Sequence, residues 1–220
     1  MLVQIRSKNG LPSMSGPGHK DSAKLLPIGE LKPTQMTVGY REVGVKGRSW
    51  KAARTKSQNP EPDPVIVPVV AGPQNTFYLI DRHHLTFALF LEGVETVLAE
   101  IVEDFAHLPP SEFWQKMWEE GWCRPVDETG RKRAFEDMPG TIKDLKDDPY
   151  RSLAGAVRRA KGYAKGKTPY SEFQWADFLR NHVSEDCLSK DFQAAVEEAL
   201  QHARTPDAAH LPGYVPGPEA

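Results

Sequence analysis

The chain has 220 residues, with 28 Lys and Arg against 30 Asp and Glu and a formal net charge of −2. That length supports one substantial domain or two small ones, and a charge so near zero removes the global field as a reason to expect nucleic acid or membrane, so such a partner would need a local patch. Five tryptophans placed inside periodic segments exclude disorder throughout.

Residues Asn9 to Lys20 mix Gly, Pro, Ser and charge without apolar periodicity, so residues 1–20 read as a flexible lead-in. Leu25 to Ile28 reads as a strand, and Gly29 to Pro33 as the turn after it. Arg41, Arg48, Lys51 and Arg54 precede the hairpin and could line a phosphate groove, the alternative being that the segment from Gly44 to Pro64 is a mobile loop. Val65 to Val70 is a β-branched run whose Pro68 points to a sheet edge or a bulge, and Thr76 to Ile80 is its hairpin partner. Arg82 to Glu92 spaces Leu85, Ala88, Leu89 and Leu91 as a buried helix face, closed by Gly93. Thr96 to Glu103 returns as a strand, and that crossover implies a mixed sheet.

Helices follow. One starts at Leu108-Pro109-Pro110 and ends near Gly121; three more are expected over Tyr150–Gly162, Pro169–Val183 and Leu188–Ala203, with a polar loop or small hairpin from Arg124 to Pro139. Trp114, Trp118, Phe173, Trp175 and Phe178 recur at helical spacing and read as core. Residues 205–220 read as a flexible tail. The expected organisation is an α/β domain over 21–106 and a helical domain over 107–204, giving an α+β fold.

Cys123 and Cys187 match no zinc or Cys-x-x-Cys spacing and read as reduced thiols, so neither zinc nor haem is expected. No apolar run reaches the length of a membrane span, and the N-terminus lacks a secretory pattern, which points to a soluble, cytoplasmic protein without a membrane partner. The oligomeric state is not legible.

The sharpest feature is the strand-to-helix junction Asp81-Arg82-His83-His84. The free N–H groups and positive end of a new helix attract phosphate or carboxylate, and a cation with two imidazoles would strengthen such a site. Asp81 could cap the helix, hold a magnesium ion or orient an imidazole, whereas the bland alternative is an ordinary N-cap with surface or core histidines. Arg151 and Ser152 fall in the first turn of a later helix, where a basic side chain opposes the dipole unless an anion compensates, and they are candidate ligand contacts.

The run Tyr78-Leu79-Ile80-Asp81-Arg82-His83-His84, followed by Gly93-Val94 and a strand, resembles the ParB/sulfiredoxin superfamily. Pro33-Thr34-Gln35 is similar to that family's opening turn. With Arg41-Glu42-Val43 and Asp148-Pro149-Tyr150-Arg151-Ser152, the closest resemblance is to its ParB-like nuclease branch. The resemblance implies a small mixed sheet with helices and a nucleotide-phosphate site at the junction. Carried over by position, Arg82, His83 and His84 would hold phosphates, with Gln35, Arg41, Arg151 and Ser152 as further ligand contacts; Asp81 would cap or bind magnesium, and Glu42 would be the general base.

Departures choose among the family's activities. Sulfiredoxin chemistry needs a cysteine in the motif, where this chain has Arg82 and His83. Partition ParB proteins carry two arginines at the places of His83 and His84 and then a helix-turn-helix domain. The imidazole pair is nearer the serine-kinase pattern, although Arg82 replaces a glycine and Leu85 an arginine. The expectation is therefore a phosphotransferase using ADP or ATP, or CTP, with magnesium on a small hydroxyl-bearing substrate. The alternative is a DNA-associated module or a metal-dependent nuclease.

Overall fold

The computed structural model describes residues 23–56, 64–166, 168 and 170–217, so the lead-in over 1–20 lies outside the described residues. The first half is a five-stranded mixed sheet. Strand β4 (Ile66–Gly72) forms a hairpin with β5 (Thr76–Leu79); the chain crosses through α2 (His83–Leu91) and returns as β6 (Thr96–Asp104), parallel to β4. Strand β1 (Ala23–Pro27) closes one edge antiparallel to β6, and the short β2 (Lys32–Pro33) closes the other, parallel to β5. Pro68 sits in a central strand rather than at an edge, and the register shift between Val69 and Val70 supplies the irregularity its missing N–H requires.

Successive side chains of β5 serve two cores, as a strand's period of two demands. Leu79 joins Val69 and Val97 beneath Phe87 and Leu89 of α2, while Tyr78 joins Val70 against Phe113 and Met117 of α3 (Pro110–Glu119). Each such fully buried side chain stabilises the fold by roughly 2 kcal/mol.

In the span 44–64, where a loop was the alternative reading, residues 44–56 are helical, since α1 runs Tyr40–Lys56, and residues 57–63 lie outside the described residues. Gly44 and Gly47 hid it, because glycine weakens a helical pattern. Gly47 is there for packing, since a Cβ on it would stand 3.3 Å from Glu92 Oε1 and 3.8 Å from Ala88 Cβ, at the crossing of α1 and α2. The Lys51–Glu92 ion pair, 2.5 Å, closes the same contact.

The second half holds α4 (Pro149–Arg159), α5 (Ser171–Arg180), α6 (Glu185–Lys190) and α7 (Phe192–His202). The single helix expected over Leu188–Ala203 is broken at Asp191, whose carboxylate accepts the Gln193 and Ala194 N–H groups at 3.0 Å and starts α7. Trp175, Leu153 and Leu179 form the centre, with the Tyr163 and Trp175 rings stacked 4.2 Å apart. Ala208 and Leu211 complete this core, so the described part of the expected flexible tail is packed structure. Trp118 departs from the core reading: it is 48% exposed, with Lys132 Nζ 4.6 Å over its ring.

The two halves meet along a seam. There β3 (Thr37–Val38) pairs in parallel with β7 (Lys146–Asp147), which leads directly into α4 and sets the start of α1 against that helix.

Candidate functional site at the seam

Arg82, not Asp81, is the N-cap residue of α2, and it adopts a left-handed conformation (φ 63°) with no side chain capping the helix. Asp81 is exposed; its Oδ1 accepts the Arg82 N–H at 2.6 Å instead of reaching into the helix. The Arg82 guanidinium turns back to the Ile66 carbonyl at 2.8 Å. The expected cap is thus corrected, and the first turn of α2 is left without a side-chain acceptor.

The two imidazoles face inward, and each uses Nε2 as an acceptor. His83 takes the Thr34 N–H at 3.1 Å and His84 the Gly39 N–H at 3.0 Å, so the neutral rings carry their protons on Nδ1. Burial, and next the Arg151 charge, hold His83 down to about 3. Burial and then the charges of Arg151, His83, Lys46 and Arg158 push His84 well below the usual range. Neutral rings whose Nε2 acceptors are used on backbone amides position the Thr34–Gly39 segment rather than offering those nitrogens to a phosphate.

Glu42 is 4% exposed and ion-paired with Arg159. Its carboxylate rests on Gly155, where an added Cβ would stand 2.4 Å from Glu42 Cδ. Ser152 is buried beside it, its Oγ accepting the Arg41 N–H at 3.2 Å, and Gly39 lies so close that a Cβ would meet the Ser152 backbone at 2.5 Å. The small residues of the Ser152–Gly155 stretch thus let α1 approach α4. Ser152 serves packing there, and Glu42 as found is engaged rather than free to take a proton.

Arg151 is the cation this seam buries most deeply, 4% exposed. Its Nη1 donates to the Thr37 carbonyl at 2.6 Å, and its guanidinium lies 3.6 Å from the Phe173 ring centroid. Arg124 lies 4.6 Å from the same ring and is paired with Asp177 at 2.7 Å. Burial lowers Arg151 to about 9; Asp148 opposes that shift and Arg124 adds to it. Among the described residues Arg151 Nε, Arg124 Nε and Tyr170 Oη are buried polar atoms without a partner, as is Arg180 Nε. Buried donors in native proteins are nearly always satisfied, so such a group of orphans around one aromatic ring marks the place of an acceptor.

Of the residues singled out in the sequence, His83, His84, Arg151, Ser152 and Gln35 do come together. Gln35 is buried and bridges in parallel to Arg124. Asp81 stays at the surface, and Arg41 faces away, its guanidinium 4.2 Å over Phe192. Sequence reasoning missed Lys46, Arg124 and Tyr170 as site residues, and Phe173, read as core, is buried as expected. Lys46 was hidden in a segment whose alternative reading was a loop, and Arg124 in a polar stretch whose one clue is its place beside buried Cys123.

The family model described as "Putative ParB-like nuclease" matches residues 25–181. The chain belongs to this ParB-like family. It is also similar to the crystal structure of protein Atu1540 from Agrobacterium tumefaciens: 46% sequence identity, a TM-score of 0.83, and coverage of 89% of this chain and 98% of that one. Comparison with curated proteins gives no match.

Within the ParB-like fold, the thiols are not activated. Burial pushes Cys123 up to about 12, and Cys187 is also raised, chiefly by burial. No described helix is long and apolar enough to cross a membrane. Among the described residues no three His, Cys, Asp or Glu side chains are placed together as a metal-binding group.

Proposed function

We propose that this ParB-like protein binds the phosphates of a nucleotide at the seam and transfers a phosphoryl group to a small hydroxyl-bearing molecule. One observation carries the reading: Arg151 Nε, Arg124 Nε and Tyr170 Oη are orphaned around Phe173. A phosphate would supply the missing acceptors and offset the positive charge of Arg151 and Lys46 that bears on His84, while Arg158 is already paired with Glu172. Magnesium fits as an ion carried in on the nucleotide phosphates, with Asp81 at most an added ligand. Glu42 is the candidate base, and it can act only when Arg159 releases it.

A thermal-shift series with ADP, ATP and CTP, with and without magnesium, tests this. Ligand at about a hundredfold excess over Kd adds roughly 2.7 kcal/mol to stability. Lys46→Ala, at an exposed position, is expected to weaken that binding about tenfold through loss of one charge-assisted contact. No shift with any nucleotide at millimolar concentration sinks the reading.

The nuclease description of the family favours a second reading, a nucleic-acid strand as the phosphate donor, and α1 supports it with six basic side chains against one acidic. That version requires a mobility shift of DNA that fades steeply with added salt.

A further inference from the structure

Arg159, the partner of Glu42, also belongs to a second hollow. A groove of about 510 Å³ is walled by Tyr40, Arg41 and Arg48 of α1, Arg159 of α4 and Phe192 at the start of α7, a size within the usual small-ligand range of roughly 300–1,000 Å³. Arg41 and Arg48 lie seven residues apart, on one helical stripe. Among the described residues neither makes an ion pair, and the carboxylate that bears on Arg41, Asp147, already accepts the Tyr40 N–H at 2.7 Å. The Arg41 guanidinium carbon lies 4.2 Å over the Phe192 ring centroid, a cation–π contact that holds the charge at the groove wall. Tyr40 is 46% exposed at the rim.

We propose that this groove is a second binding site, distinct from the orphaned donors around Phe173, for an aryl phosphate whose planar ring rests against Tyr40 at the rim and whose dianionic head takes Arg41, Arg48 and Arg159. Aromatic walls without the arginines would select any flat apolar molecule, and arginines without the walls any anion; together they require both parts. Because Arg159 already holds Glu42, that carboxylate competes with the ligand from inside the protein.

Isothermal titration of the full chain with 1-naphthyl phosphate is the test. One-to-one binding is expected, with inorganic phosphate and 1-naphthol each at least about tenfold weaker, and Arg41→Ala or Arg48→Ala each losing about tenfold in affinity. Both arginines are exposed, so unchanged melting temperatures separate lost binding from lost folding. Glu42→Gln is expected to tighten binding several-fold, a gain that vanishes in Glu42→Gln/Arg159→Ala and that a merely structural role for Glu42 would not produce. Arg48→Ala leaves ADP binding unchanged and Lys46→Ala leaves naphthyl phosphate binding unchanged, so the two sites fail separately. Wild-type affinity in the Arg41→Ala/Arg48→Ala double variant, or inorganic phosphate binding as tightly as its naphthyl ester, overturns the proposal.

Discussion

The core of the helical half is apolar from Leu153 on α4 to Ala199 on α7, whereas the seam between that half and the sheet buries Thr34, Gln35, Thr37, Glu42, His83, Asp148, Arg151 and Ser152. An apolar core is non-directional and tolerates repacking, while buried polar groups hold only when each meets a partner in one geometry. The seam therefore fixes how α1, α2 and α4 sit, and its few unsatisfied donors stand out as places prepared for something else.

Substitutions can set these two regions against each other. Trp175→Ala removes a fully buried ring and its N–H bond to the Pro212 carbonyl, and chemical denaturation is expected to register a loss of about 4 kcal/mol. At the seam, Gly155→Ala drives a methyl into the Glu42 carboxylate and is expected to cost about 3 kcal/mol, whereas Gly29→Ala, with nothing within 4 Å of the new Cβ, stays within about 0.5 kcal/mol. Equal costs for the two glycines would contradict the close approach of α1 to α4.

His83→Gln is expected to cost about 2 kcal/mol by disturbing the acceptor of the Thr34 N–H. It carries a pH signature as well. Between pH 6.5 and about 3 the unfolded chain binds a proton at this position that the folded ring refuses, so its contribution is complete above that window and is lost as pH falls through it. Melting curves over that range should be flatter for His83→Gln than for the wild type. Smallest of all, Lys51→Ala breaks a largely exposed ion pair with Glu92 and is expected to change stability by less than about 0.5 kcal/mol.

The sheet was legible because its strands carry their own signals: β-branched runs, a turn at Gly72–Asn75 and a buried helix between Asp81 and Gly93 are local. The junction was legible for the same reason. What local reading missed depends on distant partners. Helix α1 is held by α2 and α4 despite its two glycines, and Arg124 reaches the site only because its backbone N–H binds the Thr34 carbonyl at 2.8 Å. Imidazoles next to a helix start looked like phosphate ligands; that they serve as acceptors for Thr34 and Gly39 could be seen only once those amides were in place.

The unsatisfied guanidinium N–H groups of Arg151 and Arg124 around Phe173 are the centre of the proposed site, and a crystal structure with ADP and magnesium tests that site most directly. Phosphate oxygens are expected about 3 Å from Arg151 Nε or Arg124 Nε, with His83 still bound to the Thr34 amide. A nucleotide seated elsewhere, with both Nε atoms left as they are, would contradict it.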